Sequence, residues 1–167
     1  MNGIDVLKEG LGRIPDLVRI AVDGLTPEQL RWAPVPGANS IGWLVWHLTR
    51  VQDAHLAELL DAEQVYLTGD WAQRFGRKAD EGDSGYGHSA AEVAAVRPES
   101  WQALAEYYAA VHARTLAYLD SLSDADLDAV VDMRWDPPVT LGVRLVSVVD
   151  DDAQHAGQAA YVRGLLR

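Results

Sequence analysis

The segment from Thr140 to Arg167 contains no proline and carries a sustained helical pattern. Val148, Asp151, His155, Ala159, Val162 and Leu166 recur at three- and four-residue spacing and so share one face of a helix. The valines at 143, 146, 148 and 149 would also suit a strand. The pattern continues unbroken through Ala153-Gln154-His155-Ala156, which favours one long helix beginning at a Thr140 cap. That face is mostly apolar yet holds a carboxylate and an imidazole one turn apart, so whatever packs against it must deal with both.

Three other segments can supply the packing. Val6, Leu7, Leu11, Ile14, Leu17, Val18 and Val22 form a stripe that predicts a first helix from about Ile4 to Asp23, with a kink at Pro15. Thr26-Pro27-Glu28-Gln29 opens a short helix by cap, proline and capping box, and Pro34 and Pro36 close it. Ser40 or Asn39 then caps a second long helix to about Leu60, on which Ile41, Leu44, His47, Leu48, Val51 and His55 fall on one side. The stretch from Glu63 to Arg97 is rich in glycine and is expected to form a partly ordered cover over one end of the bundle. Within it, Asp70–Arg74 can make one helical turn, and Ser89-Ala90-Ala91-Glu92 is a capping box for a short helix to about Val96. A third long helix is expected from near Pro98 to Leu122, followed by a short one from Ser123 to near Val131 and an extended crossing at Trp135-Asp136-Pro137-Pro138. The predicted fold is all-α: a four-helix bundle in a single domain over residues 1–167, with short extra helices and a long crossover between the second and third long helices.

Composition removes several functions. A formal charge of -11 leaves no basic surface for nucleic acid or for an anionic membrane. There is no cysteine, which excludes disulfides, cysteine nucleophiles, thiolate-bound zinc and iron–sulfur clusters. No apolar run reaches the roughly 20 residues of a bilayer span, and the N-terminus lacks the pattern of a signal peptide, so the cytoplasm is the expected location.

Any metal must therefore be held by histidine, carboxylate or backbone. Of the five histidines, His88 lies in a glycine-rich loop and is expected to be solvated or to line a pocket mouth. His112 falls at a stripe edge, as a hydrogen-bonded boundary residue would. His55 stands two turns beyond His47, about 12 Å along the axis and too far to share an ion with it. His47 and His155 lie inside apolar stripes, where an imidazole needs a partner, whether a backbone carbonyl or a metal. Asp151 precedes His155 by four residues, placing both side chains on one face about 6 Å apart, at chelating distance. Asp150 points away, and Asp152, about 60° from His155, is the reserve ligand. His47, Asp151 and His155 make a three-ligand set with positions open for water or substrate, a catalytic pattern rather than a closed structural one. The set suits zinc or nickel, and also iron or manganese. Gln158 and Arg144, near the same face, can orient a ligand or bind an anionic cosubstrate, or pack at the helix boundary.

These segments resemble the DinB-like superfamily, also called the DinB/YfiT-like metalloenzymes. Asn39-Ser40-Ile41-Gly42-Trp43-Leu44-Val45-Trp46-His47-Leu48 is similar to the family's entry into its second helix, with His47 as the first metal ligand. Asp151-Asp152-Ala153-Gln154-His155-Ala156-Gly157-Gln158 is similar to the last-helix motif H-x-x-x-H-x-G-Q, with Asp151 where the family usually has histidine. The subgroup it resembles is the actinobacterial one once described only as a domain of unknown function, related to mycothiol-dependent maleylpyruvate isomerase. The resemblance implies a divalent metal, a low-molecular-weight thiol cosubstrate, a small-molecule electrophile, S-transferase or isomerase chemistry, and a homodimer. Two rival readings remain at this level: a non-catalytic metal-binding or stress-associated bundle protein, and a metal-dependent hydrolase with Asp152 as general base.

Overall fold

The computed structural model describes residues 1–166; the last residue of the expected C-terminal helix, Arg167, lies outside them. The helices are α1 (Gly3–Gly12), α2 (Ile14–Val22), α3 (Pro27–Arg31), α4 (Ile41–Leu60), α5 (Trp71–Arg74), α6 (Ala90–Ala95), α7 (Trp101–Asp120) and α8 (Leu141–Leu165). A two-stranded antiparallel ribbon, β1 (Val130–Asp132) and β2 (Val139–Thr140), pairs Val130 with Thr140 and Asp132 with Val139. The all-α bundle is as expected, with a long connection from α4 to α7.

The expected first helix is two. α1 ends at Gly12, Arg13 is its cap, and Pro15 lies in the first turn of α2, where its missing N–H costs nothing. Continuing a helix through Pro15 would have pressed its ring against the carbonyl of Leu11. The short helix expected to reach Val131 is a 3-10 turn over Asp124–Asp128, and Val130 passes into β1 instead. The helix starts follow the sequence closely. Thr26, Ser40, Ser89, Ser100 and Thr140 each accept a hydrogen bond from the backbone N–H three residues on, satisfying an otherwise orphaned donor. α4 stops at Asp61, a left-handed cap with φ 48°.

α4 packs on α8 and α7, and α2 packs on the same two helices, giving a square bundle in which α1 extends α2. The core is in two parts. Around one end lie Ile14, Val18, Leu44, Trp46, Phe75, Tyr107, Val111, Ala156 and Ala159; around the other lie Ile4, Leu7, Leu11, Leu119, Leu141, Leu145 and Val148. Each fully buried aliphatic or aromatic side chain contributes about 1.5–3 kcal/mol. A buried polar layer separates the two: Thr49, Arg50, Gln52 and Asp53 from α4, Thr115 from α7 and Asp152 from α8. Gln52 Nε2 donates to Thr115 Oγ1 at 2.8 Å across that layer. The candidate site lies at the edge of this layer, where α4 meets α8.

Candidate metal centre

His47 comes from α4, in the stripe that sequence periodicity assigned to it. Its ring is buried and stacks on Trp43, with centroids 4.5 Å apart and planes 13° apart. Its Nδ1 lies 2.5 Å from the carbonyl oxygen of Ser84. A carbonyl can only accept, so Nδ1 carries the hydrogen and Nε2 keeps its lone pair. Burial pulls the imidazole pKa down, against the opposing effect of the Ser84 hydrogen bond. Gly85 closes the approach. Its φ is +91°, and a Cβ there would stand 2.8 Å from His47 Nδ1 and 2.9 Å from the Trp46 ring, so only glycine fits against this ligand.

His155 comes from α8, its ring 4.8 Å from that of His47 and at 76° to it. Its Nδ1 donates to Gln158 Oε1 at 2.9 Å, one turn further on, so Nε2 is again the nitrogen presented to the centre. Asp151 Oδ1 lies 3.5 Å from that Nε2. With no ion bound, the Asp151 carboxylate raises the His155 pKa by accepting from the protonated ring, overcoming the effect of partial burial, and Gln158 adds to it. The second oxygen, Asp151 Oδ2, is buried without a hydrogen-bond partner.

One ligand atom from each of His47, Asp151 and His155 lies within 4.8 Å of the other two, a gathering that no other three His, Asp or Glu side chains make among the described residues. Two imidazole lone pairs and a carboxylate with an unpartnered buried oxygen form a cluster of acceptors that a divalent cation would complete. The residues present therefore fit a metal ion.

The remaining candidates separate clearly. Asp150 is exposed and accepts from Gln154 Nε2 at 2.8 Å. Asp152 is the more deeply buried of its neighbours, with neither oxygen partnered, while Asp151 is only half-buried. The bundle centre thus runs through Val148, Asp152, Ala156 and Ala159, and Asp151 stands on the rim facing α4. His55 Nδ1 accepts from Arg144 Nη1 at 2.6 Å, away from the ion-binding atoms. Arg144 also reaches Glu58 at 3.3 Å and Asp132 at 2.9 Å. His112 stacks on Tyr108 with its Nδ1 unpartnered.

His88 departs from the expected solvated loop residue. Its side chain is nearly buried, with Nδ1 accepting from Trp43 Nε1 at 3.1 Å and Nε2 donating to Asp83 Oδ1 at 2.9 Å. The glycines let the loop fold back onto α4, so flexibility of composition did not become exposure. The loop also supplies what the sequence reading missed: the Ser84 carbonyl, and Arg50, whose buried guanidinium anchors the loop. A lone arginine amid Trp46, Leu48 and Asp53 on a buried helix was the available signal for the latter. The carbonyl had none, since every residue carries one.

The fold and these three side chains define a helical-bundle protein with a candidate metal site of two histidines and one aspartate between α4 and α8. The DinB superfamily profile matches residues 11–159, and the chain belongs to that superfamily. It is similar to a crystallised conserved protein from Enterococcus faecalis, at 32% sequence identity and a TM-score of 0.88 over 98% of this chain and 96% of that one. No curated protein matches it. Among the described residues no helix is long and apolar enough to cross a membrane.

Proposed function

We propose that this chain is a divalent-metal-dependent enzyme that works with a low-molecular-weight thiol of the mycothiol kind, as an S-transferase or isomerase acting on a small electrophile, in keeping with the actinobacterial subgroup it resembles. The observation that carries the reading is the convergence of His47 Nε2, His155 Nε2 and the Asp151 carboxylate, which offers three protein ligands and leaves positions for a ligand from solution. A divalent ion held there would favour the thiolate form of a coordinated thiol at neutral pH. Two imidazoles suit zinc or nickel, and the carboxylate extends the range to iron or manganese.

The rest of the chain provides the surroundings. With no cysteine in the protein, the sulfur comes from the cosubstrate. Arg144 lines a cleft of about 500 Å³ with His55, Ser147, Trp135 and Val143. It stands seven residues before Asp151 on the same helix, about 10 Å away, where its guanidinium, oriented by Asp132 and Glu58, can meet a polar or anionic group of a small cosubstrate. On the other side of His155, a more apolar cleft of about 410 Å³ is lined by Leu44, Gly157, Gln158, Tyr161 and Val162, and it suits the apolar part of an electrophile. Gln158 orients His155, and the stacked Trp43 keeps water from the inner side of His47. The same reading includes a cytoplasmic homodimer, supported by the exposed apolar side chains of Met133, Trp135, Val143 and Val146; light scattering at micromolar concentration tests the dimer.

A hydrolase would need a general base beside the ion. Asp152 is the nearest candidate, yet its oxygens are shielded from solvent and burial pushes its carboxyl well above the usual range, which suits a proton holder rather than a base. The test of the main reading is metal analysis of protein purified without added metal, followed by turnover of monochlorobimane with several low-molecular-weight thiols. Stoichiometric metal with thiol-dependent turnover is expected. Bound metal without turnover would favour the non-catalytic binding protein, and absence of both would reject the enzyme.

A further inference from the structure

Arg50 is fully buried, among the largest side chains to be so. Burying a guanidinium is costly unless its charge and donors are satisfied, and Arg50 meets that requirement in an unusual way. Its charge faces Asp53, also fully buried, at 3.6 Å, and its plane lies 4.0 Å over the Tyr66 ring. Nη1 reaches the Tyr107 hydroxyl at 3.4 Å. The remaining donors go to backbone: Nε to the Asp83 carbonyl at 3.0 Å, and Nη2 to the carbonyls of Asp80 and Glu81 at 3.2 Å each. One side chain thus gathers carbonyls from a single loop, and the residue after the last of them is Ser84, whose own carbonyl accepts from His47 Nδ1.

Further contacts fix the same loop from its other end. Asp83 pairs with Arg77 and accepts from His88, and His88 accepts from Trp43, the residue that stacks on His47. Gly85 lies against the ring edge with no room for a side chain. His47 is therefore held by a carbonyl at one edge, an indole on one face and backbone beside it.

We infer that Arg50 is a positioning residue for the metal centre: by pinning residues 80–83 it sets the Ser84 carbonyl against His47, fixing the Nδ1–H tautomer and aiming Nε2 at the ion. This rests on the metal-centre reading above. Arg50 touches neither the ion site nor His47; it acts through the loop. Groups that orient a ligating histidine in this way are worth about 10- to 100-fold in metal affinity.

The test uses the full chain and three variants. Arg50→Lys keeps a positive charge beside Asp53 but lacks the planar fork that spans several carbonyls. Gly85→Ala leaves Arg50, Asp53 and Tyr107 untouched and forces the loop off His47 from the other side, at a backbone angle that alanine resists. Ser84→Ala keeps the carbonyl and is the control. Long-range proton–nitrogen NMR on the metal-free protein reads the His47 tautomer directly. The parent and Ser84→Ala are expected to show Nδ1–H, and Arg50→Lys and Gly85→Ala a mixture with Nε2–H. Zinc titration is expected to keep one site per chain in all four, with affinity about 10- to 100-fold weaker in Arg50→Lys and Gly85→Ala. If Arg50→Lys does not fold, Gly85→Ala decides whether the loop sets the ring. An Nε2–H tautomer in the parent, or unchanged tautomer and affinity in the variants that fold, overturns the inference. A parent that binds no zinc would instead reject the metal reading, while the tautomer measurement would still decide the role of the loop.

Discussion

Asp151 Oδ1 and His155 Nε2 lie 3.5 Å apart, one helical turn from each other on α8, and this pair faces His47 across the α4–α8 contact. A single helix thus contributes two of the candidate ligands, and the packing of one neighbour contributes the other. Which side chains face the centre depends on helix register, because a shift of one residue on either helix would rotate its ligand by about 100°.

Removal of His155 should therefore empty the centre. His155→Ala is expected to lose the one stoichiometric ion per chain while keeping the helical circular dichroism of the parent, since α8 retains its cap and apolar positions. His55→Ala and His112→Ala should keep the ion, because His55 is engaged by Arg144 and His112 stacks on Tyr108. Metal analysis after gel filtration checks all three. Metal retained by His155→Ala, or lost from either of the others, would show that the ligands lie elsewhere.

The buried pair on α4 should matter more to stability than any surface ion pair. Asp53 accepts from the backbone N–H groups of Val65 and Tyr66 at 2.9 and 2.8 Å, and from the Tyr107 hydroxyl at 2.8 Å, beside the Arg50 charge. Asp53→Ala leaves Arg50 buried without its counter-charge and orphans those donors. A loss of about 3–5 kcal/mol is expected. Urea denaturation of parent and variant measures it; a loss as small as that of an exposed pair, about 0–1 kcal/mol, would mean that water replaces the carboxylate.

Much of this was legible beforehand. The caps at Thr26, Ser40, Ser89 and Thr140 are short-range chemistry written in consecutive residues, and the faces of His47 and His155 follow from a fixed helical period. What was not legible depends on partners distant in sequence. The ribbon of Val130–Asp132 with Val139–Thr140 is too short to leave a periodic signal. Asp151 and Asp152 differ by about 100° around the helix, so which of them enters the centre depends on where the neighbouring helices sit. The Leu166 assigned to the buried stripe lies just past the end of α8 as its cap. The loop over His47 is organised by Arg50 from another element, so its glycine content spoke for turns but not for where they would dock.

Asp132 offers a pH-dependent test remote from the centre. Its carboxylate accepts from Arg134 through Nε and Nη2, each at 2.8 Å, and from Arg144 Nη2 at 2.9 Å. Hydrogen bonding from Arg134 holds it well below the usual carboxylate range, with Arg144 assisting. In the unfolded chain an aspartate titrates near about 3.9. The depressed folded pKa means that its stabilisation is fully present above that pH and is lost as pH falls through the folded value. Asp132→Asn should thus melt at a lower temperature than the parent at neutral pH, and the gap should narrow as the pH is stepped down through the carboxylate range. A gap that stays constant with pH would show that packing of the side chain, not its charge, is what counts.

The charge of the candidate centre sets how strongly a bound ion would act on its ligands. An aspartate ligand neutralises one more unit of the ion's charge than a histidine, so the ion lowers the pKa of a bound thiol or water less than a site of three histidines would. Carboxylate oxygen is also a harder donor than imidazole nitrogen, which raises tolerance of manganese or iron relative to zinc. Asp151→His should keep the metal, shift selectivity towards zinc or nickel, and lower the pKa of a bound nucleophile. Asp151→Ala should bind zinc more weakly yet fold as the parent does, because Asp151 is only half-buried and its Oδ2 has no hydrogen-bond partner to lose. Calorimetric titration of each variant with zinc and with manganese separates these outcomes. If Asp151→Ala held zinc as tightly as the parent, the carboxylate would not be a ligand. The third position would then be filled by water or by Asp152, whose buried, unpartnered oxygens would need α8 to rotate before they could reach it.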